Sequence, residues 1–316
     1  MNIDTKKRPS YIDEIKLLID SFKHQEAITV CEKEIIEDPH DTEALDQMVS
    51  IFIDFFDRTQ GPPLNRLKMI AMAMRYGRRI DELSNHYFKH MKVFLKGKQR
   101  REIPGQIAIG LGPGRNGSTS LAALLGSAHD SYATHEVSPM VYLPPTEEQT
   151  KFHLRRIQLL SDYYSLVSDT SHWMLYIRAA ILKHFPNVKF IVLKRPPEEI
   201  VDSFERVKGN NNHWQDHKGE HWKKTYWDVC YPSYPADDRL EFAEQRRAQI
   251  ARYVSDYYGL CDKLPKSNRL TVSLERLSSK GAQEIGDFLG MPLTTAIVHK
   301  NRGGTGDSTS QQRREF

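Results

Sequence analysis

Apolar residues recur every three or four positions over the first hundred or so residues. Ile15, Leu18, Ile19 and Phe22 form one such face, a second runs from Ala27 to Ile36, and the pattern resumes from Leu67 to Leu95. That period predicts helices. Between them, an Asp-Pro stop and an Asp-Thr cap at 38–42 divide two helical stretches. The charged segment KGKQRREIPG then closes on Pro104 and Gly105, and a domain boundary is placed there, giving regions 1–103 and 104–316. Beyond it the period shortens. IAIGL is an apolar run ending in glycine and is followed by the helix-like SLAALL. Further strands are expected at Ser131–Thr134, at Leu166–Asp169 and in RLTVSLERL near the end. KFIVLKR (Lys189–Arg195) is almost continuously apolar, as a strand buried on both faces should be. Helices are expected from Pro197 and over AQEIGDFLG. Strands alternating with helices predict an α/β fold, a mainly parallel central sheet flanked by helices, preceded by an all-helical region. Such sheets bind ligands beyond the carboxyl ends of their strands.

The helical segment at 25–45, QEAITVCEKEIIEDPHDTEAL, is similar to one tetratricopeptide unit. A single unit of this kind suits an appendage, one open to self-association or to another protein, better than a free-standing array. Composition changes this picture only in what it excludes. The three cysteines, Cys31, Cys230 and Cys261, form no CxxC pair, so neither a disulfide framework nor a zinc ribbon is expected. The first sixteen residues contain no apolar core of a signal peptide, and no apolar run approaches the roughly 18 residues of a membrane span, so a cytoplasmic location is expected. The net charge of +4 suits an anionic small ligand without requiring nucleic acid as a partner.

The most informative segment is GLGPGRNGSTSL, Gly110–Leu121. Glycines after a strand let backbone N–H groups approach an anion, and the helix that follows adds a favourable field. Gly112 and Gly117 fit the frame of a Walker A loop, but Ser118 stands where that frame requires lysine, and the cation is Arg115 inside the loop. A second segment, LKRPPEEIVDSFERV, places Arg195 at a strand end, Pro197 in the first helical turn and Ser203 about two turns along. The third is NRGGTGDS, Asn301–Ser308.

Together these segments resemble the sulfotransferases that use 3′-phosphoadenosine 5′-phosphosulfate (PAPS). Arg115, Asn116, Gly117, Ser118, Thr119 and Leu121 match the family's 5′-phosphosulfate loop, with Ser120 inserted. The resemblance implies that Arg115 contacts the transferring group and that Asn116, Gly117, Ser118, Thr119 and Ser120 line the donor. It assigns Arg195 and Ser203 to the 3′-phosphate. It also assigns Arg302 and Gly303 there, with Asn301 departing from the usual second basic residue. The implied chemistry is transfer of a sulfuryl group from PAPS to an acceptor hydroxyl or amine, carbohydrates included, with no metal. His135 and Glu136 align with the Lys-Glu pair of heparan-type members, which nominates Glu136 as base. His172 falls near the catalytic His of cytosolic members, whose neighbouring lysine is absent here. The stretch from His213 to Tyr234 is dense in histidines and aromatics. His213, His217 and His221 would share one face of a helix, yet no further ligand completes a zinc site, and an acceptor-binding lid is the expected role. Two other readings remain open on the residues. A P-loop kinase would need the missing lysine and an Asp for magnesium, and a tetratricopeptide-type adaptor would need more repeats.

Overall fold

A computed structural model describes residues 11–21, 80–208, 212–216, 228–277 and 279–294, with scattered positions between 23 and 74. Chain contacts divide the protein into two compact units, Met1–Phe94 with His217–Tyr226, and Leu95–Asp216 with Trp227–Phe316. In the first unit the described residues include α1 (Tyr11–Asp20) and α2 (Ile80–Phe94). Ile80, Leu83, Tyr87, Phe88 and Met91 bury one stripe of α2, the helical period read from the sequence. Most of the tetratricopeptide-like segment, like Arg302 and Gly303, lies outside the described residues.

The second unit is an α/β layer structure. Its elements are β1 (Gln106–Leu111), α3 (Ser118–Leu125), β2 (Ser131–His135), α4 (Glu147–Ser161), β3 (Leu166–Thr170), α5 (Arg178–His184), β4 (Lys189–Lys194), α6 (Pro197–Lys208), α7 (Phe242–Asp262), β5 (Arg269–Ser273) and α8 (Ser279–Leu289). The five strands form one sheet in the order β2-β3-β1-β4-β5, and every pairing is parallel. Burial on both faces explains the apolar runs. β3 is buried throughout and β4 at its four central residues. One face packs Leu121, Leu124 and Leu125 of α3 and Ala282, Ile285 and Leu289 of α8 against Ala108, Ile191, Leu193 and Val272.

The register decides where chemistry can collect. Gly110 of β1 lies beside Thr170 of β3, and His135 of β2 lies on the other side of Thr170. The carboxyl ends of β2, β3 and β1 therefore finish level, and the segments at 112–117, 135–136 and 171–172 leave the sheet side by side. β4 ends one strand further on, next to β1.

Candidate active site at the carboxyl edge of the sheet

The loop between β1 and α3 is shaped by its glycines. Gly114 and Gly117 have φ of 90° and 92°, which side-chain-bearing residues rarely adopt. A Cβ at Gly112 would fall 1.6 Å from Nδ2 of Asn116, so the backbone there must be bare. Asn116 is buried and donates from Nδ2 to the carbonyl of Leu193 (2.9 Å), tying the loop to the end of β4. Its Oδ1 is buried with no hydrogen-bond partner among the described residues. Ser118, Thr119 and Ser120 form the first turn of α3, half-buried, and Ser118 Oγ shares a 2.9 Å hydrogen bond with His135 Nε2.

Arg115 lies between the two basic motifs. Its backbone is left-handed, with φ of 54°. Its Nε donates to Ser203 Oγ (3.3 Å), and its carbonyl accepts from Arg195 Nη1 (2.9 Å). Arg195 also donates from Nε to Glu199 (2.8 Å). The loop and the start of α6, some 80 residues apart in sequence, thus meet because β1 and β4 are adjacent strands. The Arg115 guanidinium keeps solvent access. Its pKa is nonetheless lowered, by crowding first, with Arg206 and Arg195 acting in the same sense and Glu136 and Tyr231 opposing.

Beyond Arg115 lie Glu136 and His172. Glu136 follows β2 directly and is also left-handed, with φ of 51°. Its Oε1 is 3.7 Å from Nδ1 of His172, which follows β3. His172 is buried, and neither ring nitrogen has a hydrogen-bond partner among the described residues. Its ring stacks on Tyr231, with centroids 4.7 Å apart and planes 10° from parallel. Asp169 is committed elsewhere. Its carboxylate accepts from Arg156, Thr134 and Ser171 in a buried network, which removes it from any role as base.

Three tyrosines of α7 brace this edge from below. Tyr253 Oη donates to the carbonyl of Pro113 (2.9 Å). Tyr257 Oη donates to the carbonyl of His172 (3.0 Å) and accepts from Gly112 N–H (3.2 Å). Tyr258 Oη donates to Leu193 O (3.3 Å) and accepts from Arg195 N–H (3.2 Å). A strand, a Gly-rich loop, a helix and an arginine at the neighbouring strand end are common to several nucleotide-binding folds, so geometry alone leaves the family open. A family model described as a sulfotransferase domain matches residues 108–304, more than half of the chain. The chain belongs to the sulfotransferase domain family.

The matched residues begin in β1 and run through every strand of the sheet, so the sulfotransferase match covers both sides of the site. Solved structures of sulfotransferases resemble this one at low identity. One is a sulfotransferase from Alicyclobacillus acidocaldarius, at 12% identity over 66% of this chain and 88% of that one, with a TM-score of 0.40. Another is the sulfotransferase domain from the curacin biosynthetic pathway, at 22% identity over 66% of this chain and 82% of that one, with a TM-score of 0.33. No curated protein matches the chain significantly.

The sulfotransferase site departs from the sequence reading in one segment. His213 lies in a turn, not on a helical face, and bonds through Nδ1 to Asp228 at 2.5 Å. His217 and His221 lie outside the described residues. Among the described residues no group of three or more metal-ligating side chains occurs. The described aromatics of this stretch are interior. Trp214, Tyr231 and Tyr234 are buried, and Trp214 packs between Phe204, Tyr231 and Tyr253. Trp214 bridges α6 and α7 through Phe204 and Tyr253, which buries its apolar ring. Tyr231, which no motif pointed to, is the residue this segment contributes to the site.

Proposed function

We propose that the protein transfers a sulfuryl group from PAPS to an acceptor hydroxyl, with Arg115 on the donor side and Glu136 as base. The observation that carries this reading is the position of Arg115. It touches the Arg195 and Ser203 motif on one side and lies within electrostatic reach of Glu136 and Tyr231 on the other. The bare backbone at Gly112, the helix start at Ser118 and the unpartnered Asn116 Oδ1 suit the polar 5′ end of such a donor. Arg195 and Ser203 suit its 3′-phosphate, because Arg195 retains guanidinium donors beyond those spent on Glu199 and Arg115. Arg302 and Gly303 belong to the same proposal by their motif alone.

In this mechanism the acceptor oxygen attacks sulfur as the bridging oxygen departs on the opposite side. Arg115 offsets the charge that develops on the departing group, and the fixed loop supplies orientation. Glu136 takes the acceptor proton. Glu136 Oε1 lies 3.7 Å from Nδ1 of the buried His172, which backs the carboxylate, and such contacts tighten when substrate binds. His172 then holds Glu136 in place. Residues 104–316 carry the reaction in this proposal.

The deciding experiment is Arg115→Ala assayed with labelled PAPS against a panel of sugars, lipids and phenols. Turnover should fall by about 10²–10³-fold, the loss expected when one charged contact to a transition state is removed. A variant that folds and retains near wild-type turnover would refute the assignment.

A further inference from the structure

We infer that Arg195 is a positioning residue for Arg115, so that recognition at the 3′ end of the donor and charge stabilisation at its 5′ end are coupled through the protein. The inference rests on the donor reading above and adds to it a second task for Arg195. Arg115 is a non-glycine residue in the left-handed region, a conformation that persists only where neighbours enforce it. Two hydrogen bonds do so, and they cross. The side chain of Arg195 donates to the backbone carbonyl of Arg115 (2.9 Å), while the side chain of Arg115 donates to Ser203 (3.3 Å). Each motif supplies an arginine that holds the other.

Arg195 is itself fixed at both ends. Its backbone N–H is held by Tyr258, whose hydroxyl also donates to Leu193 O, the carbonyl that receives Asn116 Nδ2. At the tip, Nε is held by Glu199 and Nη1 reaches Arg115. The planar guanidinium is thus held at two of its three nitrogens and retains N–H donors for a phosphate. A lysine would keep the charge but could not hold a carbonyl and a phosphate in one rigid fork. If Arg195 is lost, the Arg115 peptide can rotate, and the guanidinium that must sit on the transferring group swings with it. A misplacement of about 1 Å at such a contact is enough to cost rate and affinity.

The test uses a ligand that lacks the 3′-phosphate. Binding of adenosine 5′-phosphosulfate to the full chain is measured by calorimetry for wild type, Arg195→Ala and Arg195→Lys. If Arg195 acts only on the 3′-phosphate, neither substitution changes this affinity. If it acts as a general positive charge, Arg195→Lys restores the wild-type value. Either result overturns the inference. If it positions Arg115, both variants bind adenosine 5′-phosphosulfate more weakly, by about 5-fold, the lower end of coupling between sites. Should Arg195→Ala fail to fold, the lysine variant alone decides between the last two outcomes. The underlying donor reading fails separately, if wild type binds 3′,5′-bisphosphoadenosine no more tightly than adenosine 5′-monophosphate.

Discussion

Glu136 and His172 meet from neighbouring strand ends, and their surroundings differ. Glu136 is half-exposed and within electrostatic reach of Arg115, whereas His172 is buried, stacked on Tyr231 and pinned through its carbonyl by Tyr257. In the proposed mechanism the half-exposed carboxylate takes the acceptor proton, and the enclosed ring holds that carboxylate in place. Glu136→Gln keeps the shape and removes the basicity. It should lower kcat by about 10²–10⁴-fold, with the affinity for 3′,5′-bisphosphoadenosine unchanged, and His172→Ala should do less. The reverse ranking, with donor binding intact in both, would transfer the role of base to His172. Tyr231 has a separate expectation. Burial above all, with Cys230 and Glu136 adding to it, raises its pKa well above the usual range, so its phenol stays protonated at neutral pH. Tyr231→Leu should lower kcat by roughly 10-fold through loss of a ring contact of about 0.5–1.5 kcal/mol, and Tyr231→Phe should lower it less because the stack survives. Steady-state kinetics of the two variants, read beside their melting temperatures, separates this from a folding defect. Glu136 and His172 were nominated from the short motifs that surround them. Tyr231 was not, because its place depends on stacking across sixty residues of chain, which leaves no local pattern.

At the scale of elements, the strands were read where burial makes them apolar, and the missed features are those whose signal is polar. The strands expected at Ser131–Thr134, Leu166–Asp169 and Lys189–Arg195 correspond to β2, β3 and β4 to within a residue at either end. α4 went unread because its apolar face is interrupted by Gln149, His153 and Arg156, all buried. Its start was nevertheless written in Thr146 and Gln149, which form a reciprocal capping box. Each has a partner inside: Arg156 bonds Asp169 and Thr134 on β3 and β2, Gln149 accepts from the Tyr142 and Thr146 N–H groups, and His153 bonds the carbonyl of Pro139. Arg156→Leu leaves the Asp169 charge buried without its cation, and should destabilise the fold by about 3–5 kcal/mol. Urea unfolding measures it, and a loss below 1 kcal/mol would show that the network is not a support for this edge. α7 makes a parallel case. The helix went unread in the sequence, and the hydroxyls of Tyr253, Tyr257 and Tyr258 reach the ends of β1, β3 and β4. Tyr257→Phe removes two of these hydrogen bonds from a buried site. It should cost about 1–3 kcal/mol, again read from urea unfolding.

For the whole molecule, the decisive property is that three distant stretches of sequence meet on one edge of a parallel sheet because the strand order places β1 between β3 and β4. The motifs and the parallel sheet were readable in advance but the strand order was not, since it depends on which faces the helices cover and not on any one segment. This arrangement separates a sulfotransferase donor site from a kinase by the ligand that stabilises it. A donor site of the proposed kind binds 3′,5′-bisphosphoadenosine without metal, because its cations are Arg115 and Arg195. A kinase site would require ATP with magnesium. A ligand that binds only the folded state adds about 2.7 kcal/mol of stability at a hundred times its dissociation constant. For a domain of 150–250 residues each kcal/mol moves the melting temperature by about 2–4 °C, so saturating 3′,5′-bisphosphoadenosine should raise it by roughly 5–10 °C. The rise belongs to the unit holding the sheet, so a melt in two steps should shift in that step alone. It should be the same with and without EDTA, while ATP with magnesium should give little. A larger shift with ATP and magnesium, abolished by EDTA, would return the site to phosphoryl transfer and remove the purpose proposed for Arg195 and Ser203.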